Sequence, residues 1–129
     1  MNSKPRVLIA DDEKLIADTL ALILNQGGFD ARAVYTCSKA LEVAPTFRPD
    51  MLISDVLMAD LNGVEAAIQM RGILPDIRVF LLSGQTATAD MIARSKAGDL
   101  GFEVLVKPVH PQELIRRLQN AAPPVRSVA

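Results

Sequence analysis

Tryptophan is absent from this 129-residue chain, and cysteine, histidine and tyrosine occur once each. With Cys37 alone, no internal disulfide and no cysteine-based zinc site can form. Neither sign of charge is in excess: 14 Lys and Arg face 15 Asp and Glu, for a formal net charge of -1. A general polyanion binder would show a basic surplus, so that class is excluded. No apolar run reaches the roughly 18 residues that a membrane span needs. The N-terminal stretch MNSKPRVLIADDE is not a signal peptide, because its apolar run is short and carboxylates follow it. What is present is a balanced globular composition, 50% apolar and 22% charged, which excludes disordered and low-complexity classes. The simplest expectation is one soluble cytoplasmic domain over residues 1–122, followed by a disordered tail over residues 123–129 that holds Pro123 and Pro124.

Short apolar runs alternate with longer amphipathic ones. Arg6 to Ala10, Asp30 to Val34, Met51 to Ser54, Ile77 to Leu82 and Phe102 to Val106 read as strands. The second is poor in large apolar residues and suits a sheet edge. Glu13 to Gln26 reads as a helix with Leu15, Ile16, Thr19, Leu20 and Ile23 on one side, stopped by Gly27 and Gly28. Ser38 to Ala44 is a short helix ended by Pro45. Gly63 to Ile73 is a third, with Asn62 as N-cap and Pro75 beyond its end. Thr88 to Ala97 is a fourth, with Gly98 just past it. The last begins at Pro111, a favoured first helical position, and carries Leu114, Ile115 and Leu118 on one face. Strict alternation of this kind implies a doubly wound α/β fold: a five-stranded parallel sheet with helices on both faces.

In such a sheet, ligands bind at the carboxyl ends of the strands. Asp11, Asp12 and Glu13 follow the first strand, Asp55 the third, Ser83 and Gly84 the fourth, and Lys107 and Pro108 the fifth. Carboxylates gathered on one rim repel, and either a raised pKa or a bound cation relieves them. Oxygen ligands without histidine or cysteine suit a hard divalent ion, and magnesium needs only one or two carboxylates beside a phosphate oxygen. Asp55 could then act as a nucleophile toward phosphorus, forming an aspartyl phosphate. Lys107 supplies a mobile positive charge and Ser83 a hydroxyl donor, while Gly84 leaves room for the phosphoryl group. A cis Lys107–Pro108 bond is compatible with the sequence.

The segments IADDE, ISDVLMADLNG, LLSG and VLVKP, in this order on these elements, resemble the receiver domain of bacterial two-component response regulators. The likeness runs from about Arg6 to Asn120. It implies a flavodoxin-like (βα)5 fold with strand order 2-1-3-4-5. It implies that Asp55 accepts a phosphoryl group from a phosphohistidine on a sensor histidine kinase or a histidine phosphotransfer protein. The metal, Mg2+ with Mn2+ as the alternative, would be held by Asp11, Asp12, Asp55 and the backbone carbonyl of Leu57. Asp12 would be the direct ligand of the acidic pair and Asp11 would act through water. Ser83 would be the switch hydroxyl and Lys107 the phosphoryl contact. Met58 and Gly63 match the family's segment after the phosphoacceptor. Two positions depart from the pattern: Ala59 stands where the family usually has proline, and Val104 where it often has an aromatic, the nearest aromatic being Phe102.

The expected function is that of a stand-alone response regulator, catalysing only its own phosphorylation and dephosphorylation. It would serve as an effector, a relay intermediate or a phosphate sink. Its output protein would dock on the face of the fourth helix, fifth strand and fifth helix, with no direct nucleic-acid or membrane binding, as a monomer or weak homodimer. Two alternatives compete. One is a receiver-like interaction domain that acts without phosphate. The other is a magnesium-dependent phosphohydrolase, against which Leu57 counts because such enzymes want a second Asp there as acid–base. Among the remaining residues, His110 reads as a cap or surface residue, Cys37 and Met51, Met58, Met70 and Met91 as packing residues, and Arg116 and Arg117 as a solvated helix face.

Overall fold

The computed structural model describes residues 4–58, 62–84, 92 and 96–121. Along the chain run β1 (Arg6–Ala10), α1 (Lys14–Gln26), β2 (Asp30–Val34), α2 (Cys37–Phe47), β3 (Met51–Asp55), α3 (Gly63–Ile73), β4 (Arg78–Ser83), α4 (Lys96–Asp99), β5 (Glu103–Val106) and α5 (Pro111–Ala121). The five strands form one sheet in the order β2-β1-β3-β4-β5. Every neighbouring pair is parallel. The expected fold class and strand order are therefore observed, with the Ala-rich β2 on an edge. Asn25 on α1 covers part of that edge strand: its amide donates to the Ala31 carbonyl at 3.1 Å and accepts from the Ala31 N–H at 2.8 Å.

Side chains alternate across a strand, so one strand feeds two cores. Leu8, Ala10, Leu52, Val79 and Leu81 join Ala40, Ala44 and Phe47 of α2 and Ala67 and Met70 of α3. Val7, Ile9, Met51, Ile53, Phe80 and Leu82 join Ala17 and Leu24 of α1 and Leu114 and Leu118 of α5. The sheet is thus covered on both faces, which is why its inner strands are continuously apolar.

The helix termini follow local chemistry. The Thr36 hydroxyl accepts from Lys39 N–H at 3.0 Å at the head of α2. Asn62 accepts from Val64 N–H at 2.8 Å at the head of α3, as expected. His110 Nδ1 accepts from Gln112 N–H at 3.1 Å ahead of α5, so the sole histidine is a cap. Cys37, Met51 and Met70 are fully buried packing residues. Arg116 and Arg117 lie on the solvated side of α5 and pair with Glu113.

Three local readings change. The inner face of α1 is Ala17 and Leu24 with Leu20 and Ala21 beside them, whereas Leu15 is 81% exposed and Ile16 37%. Large aliphatic residues mark one stripe, but the close approach of a helix to a sheet is made by alanines. Helix α2 does not stop at Pro45; it runs through it to Phe47. Proline there costs one helical hydrogen bond. Burial of Ala44 and Phe47, 0% and 4% exposed, offsets the loss, and Arg48 ends the helix in the left-handed region. Gly98 lies inside α4, and the positive φ that ends this segment belongs to Gly101. Most of the expected helix Thr88 to Ala97, together with Met91, Ala59 and the tail over residues 123–129, lies outside the described residues.

The two readings of α1 predict opposite mutant behaviour. Leu24→Ala should cost about 3 kcal/mol in urea denaturation. Leu15→Ala should change stability by less than about 0.5 kcal/mol.

Candidate functional site

The parallel arrangement delivers the carboxyl ends of β1, β3, β4 and β5 to one rim. Past β1, the Asp11 N–H donates to the Val34 carbonyl at 3.1 Å, which carries the β1–β2 ladder one step further. The Asp11 carboxylate then accepts from Glu13 N–H at 2.9 Å, turning the chain into α1. This turn aims Asp11 inward, where it is 1% exposed. Its neighbour Asp12 faces solvent. Asp55 is the last residue of β3 and is 9% exposed. Ser83, 3% exposed, ends β4, and its carbonyl accepts from Lys107 N–H at 2.8 Å. The Lys107–Pro108 bond is cis.

Lys107 Nζ donates to Asp55 Oδ2 at 2.8 Å and stands 3.8 Å from Asp11 Oδ2. Carboxylate oxygens of Asp11, Asp12 and Asp55 all lie within 4.8 Å of one another. Of the residues singled out from sequence, then, Asp11, Asp12, Asp55 and Lys107 come together through their side chains. Ser83 joins them at the end of the adjacent strand. Leu57 lies beside Asp55: its N–H donates to Asp55 Oδ1 at 3.3 Å, and it pairs with Asn62 across a short antiparallel bridge. Its side chain is 76% exposed on the rim.

The electrostatics follow from burial. Loss of water pushes the Asp11 carboxyl above the usual carboxylate range, and the charges of Asp55 and Glu13 add to this against the opposing Glu13 N–H and Lys107. For Lys107, burial pulls the ammonium down. The hydrogen bond to Asp55 and the fields of Asp55, Asp11 and Glu13 together outweigh it, so the group ends above its ordinary value. One cation serves more than one carboxylate, and Asp11 Oδ2 is buried with no hydrogen-bond partner among the described residues. An orphaned buried oxygen beside two further carboxylates, with only oxygen donors, fits a hard divalent cation. The exposed side at Asp12 leaves space for water ligands.

Two residues near Asp55 carry more than their sequence signal shows. A Cβ on Gly63 would overlap the Asp55 carbonyl oxygen and lie 3.0 Å from the Ser54 hydroxyl. Glycine there reflects close approach of α3 to β3 rather than helix propensity. Ser54 is a fully buried polar residue in an apolar strand, and that mismatch is the signal that marks it.

Comparison with known proteins agrees with this geometry. The family model for the response regulator receiver domain matches residues 7–119, and the chain belongs to that family. It is 27% identical over 116 residues to the DNA-binding response regulator MtrA of Mycolicibacterium smegmatis, covering 90% of this chain and 50% of that protein. It is 31% identical over 113 residues to the probable transcriptional regulatory protein TcrX of Mycobacterium tuberculosis, covering 88% and 47%. The chain therefore spans about half the length of the curated relatives it matches. Among solved structures, chemotaxis protein CheY4 of Vibrio cholerae is 25% identical with TM-score 0.82, covering 92% of this chain and 99% of that one. A CheY-like receiver domain protein of Methanospirillum hungatei has the same fold, with TM-score 0.82 at 21% identity over 92% and 93% of the two chains. The chain is thus a receiver domain of two-component signalling. Such a domain is a signalling module. No described helix is long and apolar enough to cross a membrane.

The raised Asp11 value has a sign. The folded protein holds this proton more tightly than the unfolded chain does. Protonation therefore favours folding at low pH, and that contribution is lost as pH rises through the raised value. Asp11→Asn should unfold at a higher temperature than wild type in metal-free buffer at neutral pH. Calorimetry across a pH series should show the gap closing as the pH falls below the ordinary carboxylate range.

Proposed function

We propose that this receiver domain accepts a phosphoryl group on Asp55 from a phosphohistidine, in a reaction that depends on Mg2+ or Mn2+. The observation that carries this reading is the placement of Lys107 Nζ 2.8 Å from Asp55 within a cluster of three carboxylates. An Asp55 oxygen attacks phosphorus in line, a P–O bond forms, and the P–N bond to the imidazole leaving group breaks. Lys107 changes partner, from the Asp55 carboxylate to a phosphoryl oxygen. The Ser83 hydroxyl, at the end of the neighbouring strand, donates to another phosphoryl oxygen.

Asp11, Asp12, Asp55 and the Leu57 carbonyl are the groups that would hold the cation. Bound there, the ion draws charge from the transferring phosphoryl group. Asp11 presents a buried oxygen for it and Asp12 a solvated one. The domain spans residues 1–122 in this reading. Its partners are a sensor histidine kinase or a histidine phosphotransfer protein on the input side. On the output side, a protein reads the surface of the fourth helix, β5 and α5. Val106 of β5, 39% exposed, and the solvated Arg116 and Arg117 of α5 offer mixed apolar and basic contacts there. Loading Asp55 moves Lys107 at the end of β5, and this shifts an equilibrium between two forms of that surface. An effector, a relay intermediate and a phosphate sink all use this same chemistry.

The test is incubation with acetyl phosphate and magnesium, read by intact mass. Wild type should gain one phosphoryl group only when the metal is present, and Asp55→Asn should gain none. Lys107→Ala should be phosphorylated about 100-fold more slowly, the scale of losing one preorganised charge at a transition state. An adduct that persists in Asp55→Asn would refute the assignment.

A further inference from the structure

The Asp55 carboxylate is aimed by the peptide that follows it, and each polar group along that stretch has a partner. Val56 N–H donates to the Leu82 carbonyl at 3.0 Å, and the Val56 carbonyl accepts from Gly63 N–H at 2.9 Å. Leu57 N–H turns back to Asp55 Oδ1 at 3.3 Å. The Asp55 carbonyl accepts a hydrogen bond from the Ser54 hydroxyl at 3.1 Å, in a fully buried setting. Among the described contacts of this stretch, it is the backbone oxygen held by a side chain. Strand alternation puts Ser54 on the sheet face that carries α2 and α3, opposite the face of Met51 and Ile53. Gly63 at the head of α3 presses on the same carbonyl, and a Cβ there would also crowd the Ser54 hydroxyl.

We infer that Ser54 is a positioning residue for the reacting carboxylate. Its hydroxyl, wedged between β3 and Gly63, fixes the orientation of the Asp55–Val56 peptide from behind the site and thereby the direction of the Asp55 side chain. The inference rests on the reading of Asp55 as phosphoacceptor. The competing explanation is that Ser54 is merely small, so that α3 can approach β3. Alanine is equally small and lacks only the oxygen, so it separates the two. Removing the donor leaves a buried carbonyl free to rotate toward another partner, and a reacting group displaced by a fraction of an ångström loses rate rather than donor affinity.

The experiment compares wild type, Ser54→Ala and Val7→Ala. Val7 is a fully buried residue at the opposite end of the sheet, so its variant controls for lost stability. Phosphorylation by acetyl phosphate in saturating magnesium gives the maximal rate and the half-saturating donor concentration, and urea denaturation gives stability. Ser54→Ala should lower the maximal rate about tenfold with half-saturation unchanged. Val7→Ala should keep the wild-type rate at a comparable or greater loss of stability. A wild-type maximal rate in Ser54→Ala overturns the inference while leaving the phosphoacceptor reading intact, and so does an equal rate loss in Val7→Ala. A wild type that takes up no phosphoryl group overturns the phosphoacceptor reading and the inference with it. Should Ser54→Ala fail to fold, Ser54→Thr takes its place, because it keeps the hydroxyl and adds bulk: a wild-type maximal rate supports the inference, and a lowered rate, as the size explanation expects, overturns it.

Discussion

Negative charge held on one rim, partly out of water, is the constraint around which the rest of this domain is arranged. Asp11, Asp12 and Asp55 would repel each other apart if they were free to move. They are held by a parallel sheet whose strand ends cannot shift without breaking the ladder. Lys107 relieves part of the repulsion, donating to Asp55 and lying within ion-pair distance of Asp11. A single ammonium cannot balance three carboxylates. Burial raises the Asp11 pKa, the uncompensated charge of Asp55 adds to it, and one Asp11 oxygen is left buried without a hydrogen bond among the described residues. A site with spare negative charge and a single paired ammonium fits a hard divalent ion, and the proposed phosphoryl transfer would draw on both.

Behind that rim the molecule is built for rigidity. Alternation along β1, β3 and β4 sends residues into two separate cores, so the sheet is clamped from both sides. The clamp is tightest where it matters to the site. Gly63 lets α3 press against the Asp55 carbonyl, Asn62 caps the same helix, and Leu57 pairs back to Asn62. Val56 and Leu57, directly after Asp55, are therefore tied to β4 and to the head of α3. On the rim itself Leu57 and Asp12 face solvent, while Asp55 is largely buried.

Much of this was legible beforehand. Runs such as RVLIA and MLIS admit one reading once they alternate with amphipathic segments, and each is followed by a polar residue at the rim. The bounds of β1, β2 and α3 coincide with their sequence expectation, because turn residues and caps mark them locally. The misreadings share one cause. The stripe of Leu15, Ile16 and Ile23 looked like a core face, Pro45 like a stop and Gly98 like an end. In each case packing elsewhere decided the outcome: alanines against the sheet, Phe47 in the core, and a turn completed by Gly101. Ser54 went unread because a polar residue in an apolar strand marks a position without showing which group its hydroxyl holds.

The sequence by itself determined the class of fold, the order of the elements and the set of residues that gather at the strand ends. Those properties depend on period and on local punctuation, which a chain carries whatever its surroundings. Only the tertiary structure decided which acidic residue of the pair is buried, which carboxylate the lysine holds, and which face of α1 meets the sheet. It also decided that a serine hydroxyl and a glycine share the carbonyl behind Asp55. These are distances between residues as far as 52 positions apart in sequence, and close packing of two cores against one sheet sets them.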